Sequence, residues 1–162
     1  MADLHAHTTA SDGDSTPSQL VVLARNAKLR AVAVTDHDTV AGVAEALATA
    51  RSLGESAIDV VPGIELSVSY REREVHVLGL FIDPEHADLK QACLELTLAR
   101  KQRFQGYLDA LRKRNYTIPS HLVSRFEMTA ASLGRRHMAS LLVESRIVAS
   151  RHAAFSRVLP EG

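Results

Sequence analysis

Short apolar runs that alternate with helical segments over residues 1–83 constrain the fold of this chain more than any other feature. The pattern predicts strand, helix, strand, helix, strand, strand, with "AVAVTD" and "IDVVPGIELSVSY" among the extended segments. Such alternation is typical of an α/β protein with a largely parallel sheet or barrel. In these folds the chemistry lies at the carboxyl ends of the strands. We therefore expect functional residues in the loops that follow the strands.

The helices of this part of the chain carry recognisable end signals. The first is predicted to begin after Thr16 as its N-cap, with Pro17 at its first position and Gln19 completing a capping box. The second covers "VAGVAEALATARSLG", and Gly54 suits its C-terminal end because glycine tolerates the left-handed conformation found there.

Beyond Pro84 the pattern becomes helical. Residues 86–115 carry apolar side chains at three- and four-residue spacing, with Arg100 as the one polar interruption, and three shorter helical segments follow. We therefore expect two units, an α/β unit over residues 1–84 and a helical subdomain over residues 85–162.

Composition excludes some functions. The 162 residues suggest one domain or one domain with a small addition, and the formal net charge of zero gives no broad surface for nucleic acid or membrane. The zero net charge is still compatible with a small local basic site. One cysteine excludes an internal disulfide and suits a reducing cytosol. No apolar run approaches the roughly 20 residues of a membrane span, and the N-terminus has no secretory pattern. We therefore expect a cytoplasmic protein.

The first candidate site is "LHAH". Side chains alternate across a strand, so His5 and His7 project to one face, where they can bind one metal ion or two neighbouring ions. Asp12 lies in the glycine-containing loop that follows and can add an oxygen ligand. The alternative is two unrelated histidines, one in the core and one at the surface.

The second candidate site is "TDHD", directly after an apolar strand. Asp36, His37 and Asp38 are three titratable groups at a strand end, where a cation or partner must offset their repulsion and lost solvation. Alternatively, Asp38 or Thr39 caps the next helix. Capping explains one residue and leaves His37 unexplained.

Glu65 in "PGIELS" and His76 in "EVHVLG" form the third group, each in an apolar surrounding that predicts burial. A lone buried glutamate is costly, and bridging two metals is one reason to have it. For His76 alone, a hydrogen-bonded core histidine is the alternative. Imidazole and carboxylate donors without thiolate suit manganese, iron or zinc. Six donors exceed the three protein ligands usual for one catalytic zinc and so favour two or more metals.

A basic segment, "GRRH", lies at a predicted helix start. Free N–H groups at a helix N-terminus attract anions, and arginine adds a bidentate fork for phosphate. Arg135, Arg136 and His137 are therefore candidate phosphate contacts, with a solvated basic turn as the alternative.

The segments "DLHAHTTASDG", "AVTDHDTVAG", "VPGIELSV" and "EVHVLGLFID" resemble the PHP (polymerase and histidinol phosphatase) superfamily. The order is most similar to its bacterial nucleoside 3′,5′-bisphosphate phosphatase and RNA 5′-exonuclease subgroup. "SLGRRHMASLLVES" is similar to that subgroup's Gly-Arg-Pro-His helix start, with Arg136 in place of the proline.

The resemblance implies a distorted (β/α)7 barrel with metals at the strand ends and a helical insertion as a lid. It implies that Glu65 bridges two of the metals and that Arg135 and His137 face the substrate phosphate. The implied cofactors are two or three divalent ions, manganese first, with iron, zinc and magnesium as alternatives. The implied metal ligands are His5, His7, Asp12, His37, Glu65 and His76.

In the family, the last strands supply a later histidine and a closing Asp-X-His, and residues 77–162 contain no Asp-X-His. We therefore expect a partial barrel, from either a fragment or a naturally shortened protein. A partial barrel exposes sheet edges that need a cover, so a homo-oligomer stays open as an alternative.

The resulting hypothesis is a metal-dependent phosphoesterase that uses metal-activated water on a nucleotide, a nucleoside bisphosphate or an RNA end. Its substrate partner is a small phosphate ester or a short RNA, without a membrane. One alternative is a degenerate metal-binding module without turnover. Another is an amidohydrolase-type C–N hydrolase, which usually needs a bridging lysine, whereas the lysines here fall in predicted helices, at Lys28, Lys90, Lys101 and Lys113.

Overall fold

A computed structural model describes residues 1–54 and 57–159. The chain folds into a curled four-stranded sheet with two helices, followed by four more helices, which confirms the predicted α/β class with a partial barrel and a helical addition. The last three residues of the predicted second unit lie outside the described residues. The strands are β1 (Ala2–Ala6), β2 (Ala31–Val34), β3 (Asp59–Tyr70) and β4 (Arg73–Leu80). The helices are α1 (Pro17–Asn26), α2 (Val43–Ser52), α3 (Ala87–Lys113), α4 (Ser120–Thr129), α5 (Arg135–Glu144) and α6 (Arg151–Arg157).

The strands lie in the order β1-β2-β3-β4. The first three run parallel, as predicted, whereas β4 pairs antiparallel with β3. The reason is the tight turn between them, in which Arg71 and Glu72 both have positive φ, 48° and 63°. Two such residues form the kind of turn that matches the twist of a hairpin.

Strand β3 pairs with β2 at its start and with β4 over the rest of its length, and Gly63 lies at the change of partner. A Cβ atom at Gly63 would lie 2.8 Å from Cγ2 of Thr35 and 3.0 Å from the carbonyl oxygen of Gly79. A side chain would therefore push the strands apart, and glycine lets them meet at this point.

The predicted helix ends are largely confirmed. The Thr16 side chain caps α1 by accepting a hydrogen bond from the backbone N–H of Gln19. The Gln19 side chain accepts one from the backbone N–H of Thr16, and Pro17 is the first residue of the helix. Helix α2 ends at Leu53 as its C-cap, followed by Gly54 with φ of 55°. The alternative in which Asp38 or Thr39 caps α2 is wrong, because the N-cap residue is Gly42.

Two apolar clusters occur among the residues that the structure describes. One lies between the sheet and helices α1 and α2, and its fully buried members include Val21, Val34 and Val43. The other lies among α3, α5 and α6 and includes Phe104 and Leu141. We call β1–β4 with α1, α2 and their loops the strand region, and α3–α6 with theirs the helical region. Within the described residues, no helix is long and apolar enough to cross a membrane.

Candidate metal centre

Glu65 lies at the centre of the candidate site. Its side chain is buried, and its Oε2 atom lies 3.0 Å from Nε2 of His5 and 3.1 Å from Nε2 of His7. The same oxygen lies 3.4 Å from Nδ1 of His37, and Oε1 lies 2.6 Å from Nδ1 of His76. One carboxylate therefore contacts or approaches four imidazole rings.

Strand geometry explains this convergence. His5 and His7 project to the same face, as predicted from alternation, and their Nε2 atoms lie 3.2 Å apart. His76 on β4 pairs with Ser67 on β3, so these two side chains lie on the same face of the sheet. Glu65 is two residues before Ser67 and therefore projects to that face as well. His37 pairs with Glu65 through an isolated bridge that extends the parallel pairing beyond β2.

Asp12 completes the set from the loop after β1. Its Oδ1 and Oδ2 atoms lie 4.0 Å from Nδ1 of His7 and 3.9 Å from Nε2 of His37. The loop folds tightly over the strand end, since a Cβ atom at Gly13 would lie 2.2 Å from the carbonyl oxygen of His7. Glycine at this position lets the loop bring the Asp12 carboxylate back to the histidines.

The donor atoms form three overlapping groups, within each of which they lie no more than 4.8 Å apart. The groups share His7, His37 and Glu65, and together they contain all six residues that the sequence predicted. Their members are His5, His7 and Glu65; His7, Asp12 and His37; and His37, Glu65 and His76.

These residues fit divalent metal ions. The Nδ1 atoms of His7 and His37 are buried and have no hydrogen-bond partner among the described residues. Buried polar atoms are normally paired, so two unpaired ring nitrogens at one point indicate a missing partner. Imidazole nitrogen and carboxylate oxygen are suitable ligands for zinc, iron or manganese. Whether each of the six residues is a ligand stays a prediction.

Burial and charge oppose each other at the site. Burial raises the pKa of the Glu65 carboxyl, but the hydrogen bond from His5 and the neighbouring charge of His37 outweigh it and hold that pKa below its usual value. Burial also lowers the pKa of His37, against the charges of Asp12 and Glu65, and so favours the neutral ring that binds metal.

The expected burial of His76 was wrong. Its side chain is 39% exposed, because β4 is an edge strand and the described residues leave its side chains largely open. Glu65, predicted to be buried by the same reasoning, is buried, since β3 has a strand on each side.

The two aspartates beside His37 accept hydrogen bonds from other segments of the chain. Asp36 accepts hydrogen bonds from the backbone N–H of Thr8 at 2.7 Å, from its hydroxyl at 2.7 Å and from the hydroxyl of Ser11 at 2.6 Å. Asp38 accepts a hydrogen bond from the backbone N–H of Ser67 at 2.7 Å and pairs with Arg100. Sequence reasoning missed this role of Arg100, although the polar interruption of an apolar helix face marked it.

A cavity of about 160 Å³ lies beside the donor groups. Asp12, His37 and His76 line one side, and residues of the helical region line the other. The second side includes Arg100, three further arginines and two aromatic rings, of which sequence reasoning assigned only Arg135 and Arg136 to a site. Besides Arg100, these residues are Arg103, Phe104, Tyr107, Arg135 and Arg136.

The two predicted phosphate contacts lie in different places. Arg135 lines the cavity, whereas His137 lines a smaller cavity of about 100 Å³. Nδ1 of His137 accepts a hydrogen bond from the backbone N–H of Gly134 at 3.0 Å, which caps α5. Burial lowers the pKa of His137, although the charge of Asp12 opposes this.

Comparison with known proteins identifies the family. The PHP domain model matches residues 3–145, and the chain belongs to the PHP domain family. It is 35% identical over 161 residues to the 5′-3′ exoribonuclease Rnm of Escherichia coli, and 31% identical over 160 residues to a 3′,5′-nucleoside bisphosphate phosphatase of Chromobacterium violaceum. Each alignment covers 99% of this chain, but only 54% and 55% of the relatives. The chain therefore spans about half the length of the curated relatives it matches.

A solved structure supports the fold. An amidohydrolase from Chromobacterium violaceum, crystallised with sulfate and without metal, superposes with a TM-score of 0.86 at 31% identity. The match covers 99% of this chain and 56% of that one. The predicted family and fold class are both confirmed.

Proposed function

We propose that this chain carries the metal centre of a metal-dependent phosphoesterase. The observation that carries the proposal is one buried glutamate that contacts or approaches four imidazoles, beside a cavity whose far side bears arginines. When divalent ions occupy such a centre, they activate water and neutralise charge on a transferring phosphoryl group. The substrate class is a phosphate ester, in the form of a nucleotide, a nucleoside bisphosphate or an RNA end.

The three overlapping donor groups support two or three metal ions. Of the residues that belong to two groups, Glu65 is the one carboxylate, whose two oxygens would suit it as the bridge. Manganese is our first choice, and iron, zinc and magnesium are the alternatives. His5, His7, Asp12, His37 and His76 are the other proposed ligands.

The helical region supplies the proposed substrate contacts. Arg135 lines the cavity from the first turn of α5, where a guanidinium fork suits two phosphate oxygens. His137 is the second proposed contact, and its ring also holds that turn through Gly134. In this proposal residues 85–162 form a lid over a metal-binding unit at residues 1–84.

The relatives support the substrate class by their names, one being an exoribonuclease and the other a bisphosphate phosphatase. We propose a small phosphate ester or a short RNA as partner. A reducing cytoplasm is the proposed compartment, which suits a chain with one cysteine.

The test is release of phosphate from a 3′,5′-nucleoside bisphosphate with and without Mn²⁺, alongside Mn²⁺ binding by calorimetry. We expect metal-dependent release that His7→Ala reduces at least about 100-fold, because loss of a residue that only supports a metal ligand already costs about 10- to 100-fold. His121→Ala, an exposed histidine on α4, is the matched control and should change nothing. Stoichiometric metal binding without any hydrolysis would instead favour the module without turnover.

The C–N hydrolase alternative has one observation in its favour, the description of the superposed Chromobacterium violaceum structure as an amidohydrolase. The residues at the site argue against C–N hydrolysis. Within the described residues, the cavity lining contains no lysine, and the proposed bridging residue is Glu65. Hydrolysis of an amide panel with Mn²⁺, in the absence of phosphate release, would favour this alternative.

A further inference from the structure

Helix α3 directs two arginines, one helical turn apart, at carboxylates that neighbour proposed ligands. Arg100 pairs with Asp38, which follows His37 in the chain. Arg103 lies 2.8 Å from Glu74, whose other carboxylate oxygen lies 3.2 Å from Nε2 of His76. The two pairs have similar chemistry and opposite exposure.

The two ion pairs differ in how far their side chains are buried. The side chain of Arg100 is 10% exposed and that of Asp38 is 1% exposed, whereas those of Arg103 and Glu74 are 46% and 48% exposed. An exposed ion pair is screened by water and holds its partners loosely, while a buried pair is costly to break. Only the first pair can fix the position of a neighbouring residue.

The guanidinium of Arg100 joins three segments of the chain. Its Nε pairs with Asp38, its Nη2 donates to the hydroxyl of Ser67 at 2.7 Å, and its Nη1 donates to the carbonyl oxygen of Leu133 at 3.4 Å. These partners lie after β2, in β3 and immediately before the α5 cap. A single side chain thus connects the loop after β2 and strand β3 to the loop that precedes Arg135.

Asp38 needs such support because its backbone is unusual. Its φ of 55° is left-handed, a conformation that non-glycine residues adopt at a cost. In that conformation its N–H donates to the carbonyl oxygen of Glu65 at 2.9 Å, while its Oδ1 accepts from the Ser67 N–H at 2.7 Å. The backbone of His37 is therefore set against Glu65 by the residue that Arg100 holds.

We propose that Arg100 is a positioning residue, which sets His37 against Glu65 through Asp38 and ties the start of α5 to the same point. The inference rests on the proposed metal centre and deepens it. Lysine cannot replace the fork, because one ammonium group does not reproduce three donors in a fixed plane.

The experiment measures Mn²⁺ affinity by calorimetry on the 162-residue chain and its variants, at a temperature where urea unfolding shows each of them to be folded. Arg100→Met is expected to weaken binding about 10- to 100-fold, the range for residues that orient metal ligands. Arg100→Lys should recover part of that loss. The matched control Arg112→Met, at an exposed arginine of the same helix that pairs with Asp109, should stay within about twofold.

A second readout separates positioning from general stability. The electron paramagnetic resonance spectrum of bound Mn²⁺ should change in Arg100→Met and stay as in the unmodified chain in Arg112→Met. A folded Arg100→Met variant with unchanged affinity and spectrum would overturn the inference.

If Arg100→Met does not fold, Ser67→Ala decides the matter, because it removes one bond of the fork and keeps the buried pair. We then expect about two- to tenfold weaker Mn²⁺ binding, the range for one hydrogen bond, and unchanged binding would reject the role of Arg100. Failure of the unmodified chain to bind Mn²⁺ would instead reject the metal centre itself.

Discussion

The strand region and the helical region bury their polar side chains differently. In the strand region such residues cluster in the loops after β1 and β2 and within β3, and the described ones include Thr8, Ser11, Asp36, Asp38 and Glu65. In the helical region the buried polar residues that the structure describes are Arg100, Ser132 and His137.

All three of these residues meet the strand region. Arg100 pairs with Asp38, the backbone N–H of Ser132 donates to the carbonyl oxygen of Ala10 at 3.0 Å, and the Ser11 backbone accepts a hydrogen bond from the His137 ring. Apolar packing thus stabilises the helical region itself, and polar contacts hold it against the strand region. Substitutions can remove the apolar packing and the polar contacts separately.

The largest expected effect comes from the apolar core of the helical region. Leu141→Ala removes a fully buried side chain and should lower the free energy of unfolding by about 2–5 kcal/mol. Hydrogen exchange should show the loss of protection concentrated in α3–α6. Leu94→Ala, on the exposed face of α3, is the control and should cost less than about 0.5 kcal/mol. Equal loss of protection in α1 and α2 would mean that the two cores unfold as one.

A smaller effect is expected from the polar network of the strand region. Asp36→Ala leaves Thr8 and Ser11 without their buried acceptor, which should cost about 1–3 kcal/mol in urea unfolding. The loop that carries Asp12 should loosen as well, so Mn²⁺ affinity should fall in calorimetry. Asp59→Asn changes an exposed carboxylate and serves as the control. Intact Mn²⁺ affinity in Asp36→Ala would show that the network is unnecessary for the site.

The smallest effect is expected at the exposed contact between the regions. Asp14 lies 2.9 Å from Arg151 and 3.2 Å from Arg136, and its side chain is 67% exposed. Asp14→Asn should therefore cost less than about 1 kcal/mol. High salt should remove most of the difference from the unmodified chain.

The pH dependence of this contact has a defined sign. The hydrogen bond from Arg151 lowers the pKa of Asp14 below its ordinary 3.8, so folding favours the ionised carboxylate. The stability difference from Asp14→Asn should be full above the ordinary pKa and disappear as the pH falls through the lowered one. A difference that grows on acidification in urea unfolding would contradict the ion pair.

Local sequence predicted a large part of this protein. The capping box at Thr16, the long helix over residues 86–115 and the projection of His5 and His7 to one face depend on neighbours within a few residues, and each is confirmed. The chemistry of the strand-end motifs indicated which donors to expect, because imidazoles and carboxylates at strand ends need a cation or a partner.

Only the tertiary structure decided how those donors meet and what supports them. The antiparallel pairing of β4 placed His76 beside Glu65 yet left it exposed, and the packing of α3 against the strand ends buried Arg100 on Asp38. Both outcomes depend on residues far apart in the chain. Burial and hydrogen-bond partners are properties of such distant pairs, and the pattern of nearby residues does not contain them.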